Sequence, residues 1–185
     1  CHARESCARC HVDASRSPVI QTLGADARIA RAVAGKAPVY ADLEKFVIST
    51  GKSLAKPDEI GSVLYNRGLI NSMLGTEAIR TAMAKFGNKP MTGEQVRWGF
   101  ENLNLTADRI KQLGFEGMIA PLKVTCLDHE GTRLSRVHQW DGKQWKVISD
   151  YYTGDDEILM PLVKDVSAKY AADKKITPRD CSKES

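Results

Sequence analysis

The sequence predicts an α/β unit in which helices pack on a small sheet, and three observations predict it. Apolar residues recur at i, i+3 and i+4 spacing through the middle and the end of the chain, the mark of amphipathic helices. After Gly117 the pattern changes to short apolar runs of strand character. Between Trp140 and Lys143 stands Asp141-Gly142, a two-residue hairpin signal, because the favoured turn calls for positive φ.

The elements follow in chain order. Residues Cys1 to Ser17 are rich in Cys, His, Arg and Ser and lack apolar periodicity, so they read as a loop or a cofactor-binding segment. From Val19 to Thr50 the pattern is helical: Ile29 and Val33 sit four apart, Gly35 and Pro38 break the run, and Leu43, Phe46 and Val47 space a second helix. Gly51 to Pro57 reads as a turn. Pro57-Asp58-Glu59 suits a helix N-terminus. The buried face beyond it runs through Ile70, Met73, Leu74, Ile79, Met83 and Phe86, but Gly61 and Gly68 move the expected start to after Gly68. Gly87 and Pro90 end that helix.

Thr92 and Gln95 form a capping-box pattern for a helix carrying Val96, Phe100 and Leu103 inward. Thr106 is the expected N-cap of a shorter helix with Ile110 and Leu113, stopped by Gly114. Strands are expected from Ile119 to Cys126, from Leu134 to Trp140, and over Trp145 to Ile148. The last helix, with Pro161 near its first turn, aligns Leu159, Leu162, Val163, Val166 and Tyr170 on one side.

Composition narrows the function classes. At 185 residues the chain can bury one good core without needing a disulfide to fold. Its net charge of +4 is spread along the sequence, with no Lys or Arg tract and no aromatics interleaved with basic residues, which argues against nucleic acid. No apolar run approaches the roughly 20 residues that span a bilayer.

Three polar motifs invite chemistry. Cys7-Ala8-Arg9-Cys10-His11 matches the C-x-x-C-H pattern of covalent haem c attachment, in which two thiols bond the porphyrin and the histidine ligates iron. Met73, Met83, Met91, Met118 or His2 would have to supply the distal ligand, and a small c-type cytochrome in periplasmic electron transfer is the rival reading. Zinc held by a set from Cys1, His2, Cys7, Cys10 and His11 is a lesser one, since the spacing follows no finger pattern. Asp128-His129-Glu130 has the composition of a metal or catalytic triplet, but adjacent residues diverge, so a turn with solvated charges is expected. His138 reads as a surface or half-buried strand residue. No G-x-S-x-G, H-E-x-x-H or phosphate-cradling glycine loop occurs, so the chain is not expected to be an enzyme. Cys126 and Cys181 are, on geometry alone, either bridged or two thiols that never meet.

Several runs in order carry a resemblance: Val63-Leu64-Tyr65-Asn66-Arg67-Gly68, Thr92-Gly93-Glu94-Gln95-Val96-Arg97-Trp98, Lys123 to Gly131, Gln139-Trp140-Asp141-Gly142-Lys143, and Ile176-Thr177-Pro178-Arg179-Asp180-Cys181. Together they resemble the C-terminal part of a branched-chain amino acid ABC transporter substrate-binding protein, a periplasmic binding protein of the Leu/Ile/Val type. The likeness implies a partial type I periplasmic-binding-protein fold over residues 57–185, preceded by a poorly matched segment, 1–56, that carries an apparent insertion between Gln21 and Asp42. It also implies a C-terminal portion or shortened form of such a protein, which captures branched-chain or related amino acids in the periplasm and delivers them to an inner-membrane permease. No cofactor is then needed. The likeness places Tyr65, Asn66 and Arg67 at a ligand cleft, as apolar wall, hydrogen-bond donor or acceptor, and carboxylate partner. On the residues alone, a core Tyr65 and a solvated Arg67 fit equally well. The resemblance implies a Cys126–Cys181 disulfide.

Overall fold

The computed structural model describes residues 19–21, 37–131, 133–143 and 145–183. In order these form β1 (Val19–Gln21), α1 (Val39–Leu43) continuing into a π-helical turn at Glu44–Ile48, α2 (Val63–Phe86), α3 (Gly93–Glu101), β2 (Asn104–Leu105), α4 (Ala107–Gln112), β3 (Leu122–Lys123), β4 (Arg136–Trp140), β5 (Trp145–Val147) and α5 (Asp156–Asp173). The architecture is thus helices with two small antiparallel sheets. One sheet has the order β1-β4-β5 and the other pairs β2 with β3. Cys1, His2, Cys7, Cys10 and His11, and with them the haem and zinc readings, lie outside the described residues. So do Ile29 and Val33.

The chain divides into two compact units, each built from three separate stretches. The first comprises Cys1–Asn71, Ile110–Ile119 and Ser135–Tyr151. Its sheet aligns Ile20 with Val137 across β1 and β4, and Gln139 with Lys146 across β4 and β5. The hairpin turns at Asp141-Gly142 as expected; Gly142 takes φ +98°, and the Asp141 carboxylate accepts from the Lys143 N–H at 2.9 Å. Val19 to Gln21 were expected in a helical stretch, but they join β4 as a strand, because pairing with a distant edge outweighs local spacing. Ala37, Ile70, Ile110, Phe115 and Ile119 are the buried apolar residues of this unit. Gly114 is required where it stands. It holds φ +77°, its carbonyl accepts from the Val39 N–H at 3.0 Å, and a Cβ there would lie 2.9 Å from that nitrogen.

The second unit comprises Ser72–Arg109, Ala120–Leu134 and Tyr152–Ser185. Met73, Ala78, Ala82, Leu103, Leu105 and Ala120 are its buried apolar residues. The capping box at the head of α3 is complete: Thr92 Oγ1 accepts from the Gln95 N–H at 3.3 Å, and Gln95 Oε1 accepts from the Thr92 N–H at 3.0 Å. Gly99 lets α3 approach α2 closely, since a Cβ on it would sit 2.2 Å from the Ala78 carbonyl oxygen. Phe86 and Trp98 meet edge to face with ring centroids 5.4 Å apart.

Helix α2 begins at Val63 rather than after Gly68. The Tyr65 N–H donates to Ser62 Oγ at 3.3 Å near its start, and the helix runs through Gly68 and Gly75 without interruption. Each glycine costs about 1 kcal/mol. Burial of Ile70, Met73, Ala78 and Ala82 on its inner face offsets that cost. Helix α5 has Asp155 as its N-cap, accepting from the Glu157 and Ile158 N–H groups, with Pro161 inside the helix. Its apolar stripe forms, yet it stays exposed: Leu162 is 59% and Val166 64% accessible. Spacing fixes which side chains share a face, not whether anything covers them. Among the described residues no helix is long and apolar enough to cross a membrane.

Candidate functional site

The second unit contains a cavity of about 440 Å³. Leu74 of α2, Phe100 of α3, Leu103, Leu122 of β3 and Val124 just beyond that strand give it apolar walls. Arg97, Glu101, His129 and Glu130 supply its charged and titratable groups. The α3 helix sets the polar side, because Arg97, Phe100 and Glu101 fall three and four apart and so share one flank. β3 sets the apolar side, held by pairing of Leu105 with Leu122 and by the Val124 N–H donating to the Leu103 carbonyl at 2.9 Å.

Glu101 is the electrostatic centre. Its side chain is only 6% exposed, and its Oε1 accepts from Arg179 Nη2 at 2.6 Å and lies 3.1 Å from His129 Nε2. Burial pushes the carboxyl upward, but the hydrogen bond and charge of Arg179, helped by His129, outweigh burial and hold it below the usual carboxylate range. Arg179 comes from the extended tail after α5, and that tail is anchored two residues on, where Cys181 is bonded to Cys126 with Cα atoms 5.8 Å apart.

The Asp128-His129-Glu130 triplet lies in a turn. The Thr125 N–H donates to the Asp128 carbonyl at 2.9 Å and the Asp128 N–H returns to Thr125 Oγ1 at 3.1 Å. Its side chains part, as adjacency requires: His129 goes to Glu101, whereas Asp128 and Glu130 meet Arg133 at 3.0 and 3.5 Å. Burial raises the Asp128 carboxyl, but the Glu130 N–H and Arg133 more than compensate and leave it lowered. Arg133 also reaches Asp156 at the head of α5, at 3.2 Å. Among the described residues, no three His, Cys, Asp or Glu side chains gather as a metal site.

Tyr65, Asn66 and Arg67 lie in the first unit, on the opening turns of α2. Asn66 is buried, accepting at Oδ1 from the Tyr40 hydroxyl and donating to the Gly61 carbonyl at 3.1 Å. The Tyr40 phenol is pushed up to about 12, by burial first and by Tyr65 second. Tyr65 is half-buried and Arg67 exposed. Consecutive helical positions turn about 100° apart, so the three side chains do not converge on one point.

His138, expected at the surface or half-buried, is 1% exposed, and neither ring nitrogen has a hydrogen-bond partner among the described residues. Burial, then the nearby Arg136 charge, lowers its pKa. Glu101 and Arg179 were not singled out by the sequence reading. Only the position of Arg179 two residues before Cys181 hinted at its placement.

No protein-family model and no curated protein matches the chain. A solved structure described as an ABC transporter permease from the Pseudomonas fluorescens group is similar to it, with a TM-score of 0.75 and 38% sequence identity. The match covers 89% of this chain, which spans 38% of the length of that one. The finding corrects the resemblance to branched-chain amino acid substrate-binding proteins: the structure so similar to this chain is described as a permease, the membrane component of such a transporter, and not as its substrate-binding protein. Short runs had carried that resemblance, and short runs do not distinguish one transporter component from another.

Proposed function

We propose that the chain is part of an ABC import system and holds a small amphipathic solute, an amino acid of branched-chain size or a close relative, in the cavity beside Glu101. The transporter association is supported by the likeness, over 89% of the chain, to a structure described as an ABC transporter permease. The solute class is supported by one observation above others: a single cavity combines an apolar floor of Leu74, Leu103, Leu122 and Val124 with charges of both signs, Arg97 and Glu130, at its edge. An aliphatic side chain would rest on the floor, its carboxylate toward Arg97 and its ammonium toward Glu130. Binding and release would be non-covalent, and delivery would be to the transporter's membrane components. The Cys126–Cys181 bridge supports an oxidising compartment, and we assign the periplasm.

The competing location is the Tyr65–Arg67 run, where exposed Arg67 would meet the carboxylate. Asn66 has its amide engaged by Tyr40 and Gly61, which favours the cavity. Thermal unfolding with leucine, isoleucine, valine and a panel of amides and small organic acids tests the reading. Ligand at a hundred times its Kd adds about 2.7 kcal/mol, which raises Tm by about 5–10 °C for a chain of this size. Arg97→Ala is expected to abolish the rise and Arg67→Ala to leave it. A flat response across the panel would sink the proposal.

A further inference from the structure

We infer that this chain pairs with a second copy of itself through helix α5, the two helices lying antiparallel with their apolar stripes face to face. The pairing is independent of which solute the cavity takes.

The stripe is continuous and turned to solvent. Ile158, Leu159, Leu162, Val163, Val166 and Tyr170 are 39 to 64% exposed. At about 100° of turn per residue, the six fall within an arc of about 140°. Met160 and Ala171, the half-buried residues of the helix, lie on its far side, where Arg133 Nη2 meets Met160 Sδ at 3.3 Å. The helix thus holds to its own unit by one side and shows water six large apolar side chains on another. Contiguous apolar exposure of that kind marks an interaction surface.

Charge decides what covers it. The helix starts with Asp155, Asp156 and Glu157, and it ends with Lys169 in its last turns and Lys174 and Lys175 just beyond. A second copy run antiparallel brings each acidic start against a basic end and sets the two helix dipoles in opposition, whereas a parallel copy would set acid on acid. Centred on the stripe, the antiparallel register places Ile158 of one copy against Tyr170 of the other, and Leu162 against Val166. On the flank, Asp156 of one copy then meets Lys174 of the other, twice by two-fold symmetry. Asp156 already contacts Arg133 at 3.2 Å and Lys174 contacts Asp173 at 3.3 Å, so each cross pair completes a row of alternating charges. A membrane is the poorer fit. Between Asp155 and Asp173 the segment holds five acids against two lysines, while helices that lie on anionic lipid carry basic polar faces.

Sedimentation equilibrium over a series of concentrations tests the pairing. The unaltered chain should give a mass that rises from 20.4 kDa toward twice that value. Leu162→Glu puts a charge in the middle of the paired stripes and should raise the dimer Kd about tenfold or more. Val166→Lys should do the same with the opposite charge, and it decides the matter should Leu162→Glu fail to fold. Both side chains face solvent in a single copy, so circular dichroism of the variants should match that of the unaltered chain. Lys174→Glu reverses the flank contact and should weaken the dimer about threefold or more. In a parallel pair Lys174 would face its own copy, and the same change would leave the Kd where it was. A mass of 20.4 kDa at every concentration overturns the inference, as does a dimer indifferent to the folded stripe variants or to Lys174→Glu. Flotation with vesicles of phosphatidylcholine and phosphatidylserine is the remaining arm: binding that Leu162→Glu abolishes, by a chain monomeric in solution, would give the stripe to lipid and overturn the pairing.

Discussion

Replacing His138 with leucine should stabilise this protein. A polar ring at 1% exposure with both nitrogens unpartnered among the described residues carries a desolvation cost that nothing visible offsets. Such a group costs about 1–3 kcal/mol, and a leucine of similar volume on β4 removes it. For a chain of this size each kcal/mol moves Tm by about 2–4 °C, so His138→Leu should melt roughly 2–12 °C higher at pH 7.5. The pH dependence gives a second sign. Burial, helped by the Arg136 charge, lowers the folded-state pKa of His138 below the ordinary histidine value of about 6.5. Above that value the ring is neutral in both states and the difference vanishes. As pH falls through 6.5 toward the folded pKa, the unfolded chain takes up the proton first, and the folded state loses stability. Unaltered protein should therefore lose more Tm between pH 7.5 and 5 than His138→Leu does. Thermal unfolding followed by circular dichroism at the two pH values reads both effects. A variant less stable at pH 7.5, with an undiminished acid sensitivity, would show that the ring makes a hydrogen bond essential to the fold and would refute the reasoning.

Two further perturbations test the packing of the second unit. Gly99→Ala puts a methyl 2.2 Å from the Ala78 carbonyl oxygen, so the two helices must separate; urea unfolding should show a loss of about 1–3 kcal/mol or more, and a neutral result would mean that α3 does not approach α2 as described. Replacing Cys126 and Cys181 together by serine opens a link across 55 residues and should cost about 2–4 kcal/mol, read as a lower urea midpoint that reductant no longer shifts. Reductant lowering the midpoint of the double variant as much as that of the unaltered chain would contradict it.

Local chemistry was legible in the sequence and distant pairing was not. Thr92 and Gln95 announce their helix because both halves of the capping box lie within one turn, and Asp141-Gly142 announces its hairpin for the same reason. The start of α2 was misplaced because Gly68 and Gly75 weigh on local propensity, whereas the burial that overrides them comes from other elements. Strands β1 and β2, three and two residues long, exist only through partners 119 and 19 positions away at Val19↔His138 and Asn104↔Lys123, so no periodicity could reveal them. The site divides in the same way. His129 stood out by composition, but its partner Glu101 is 28 residues upstream and Arg179 is 78 residues beyond Glu101. Asn66 stood out as well, and only the fold shows its amide already held by Tyr40 and Gly61.

The central claim, that the cavity of the second unit takes an amphipathic amino acid, is tested most directly by methyl-resolved NMR during a leucine titration. The account predicts saturable shifts of the Leu74, Leu103, Leu122 and Val124 methyls, with those of Leu64 and Val63 beside Tyr65 unmoved. Shifts confined to the latter pair would move the site to the Tyr65–Arg67 run, and a spectrum unchanged at saturating leucine would contradict the account.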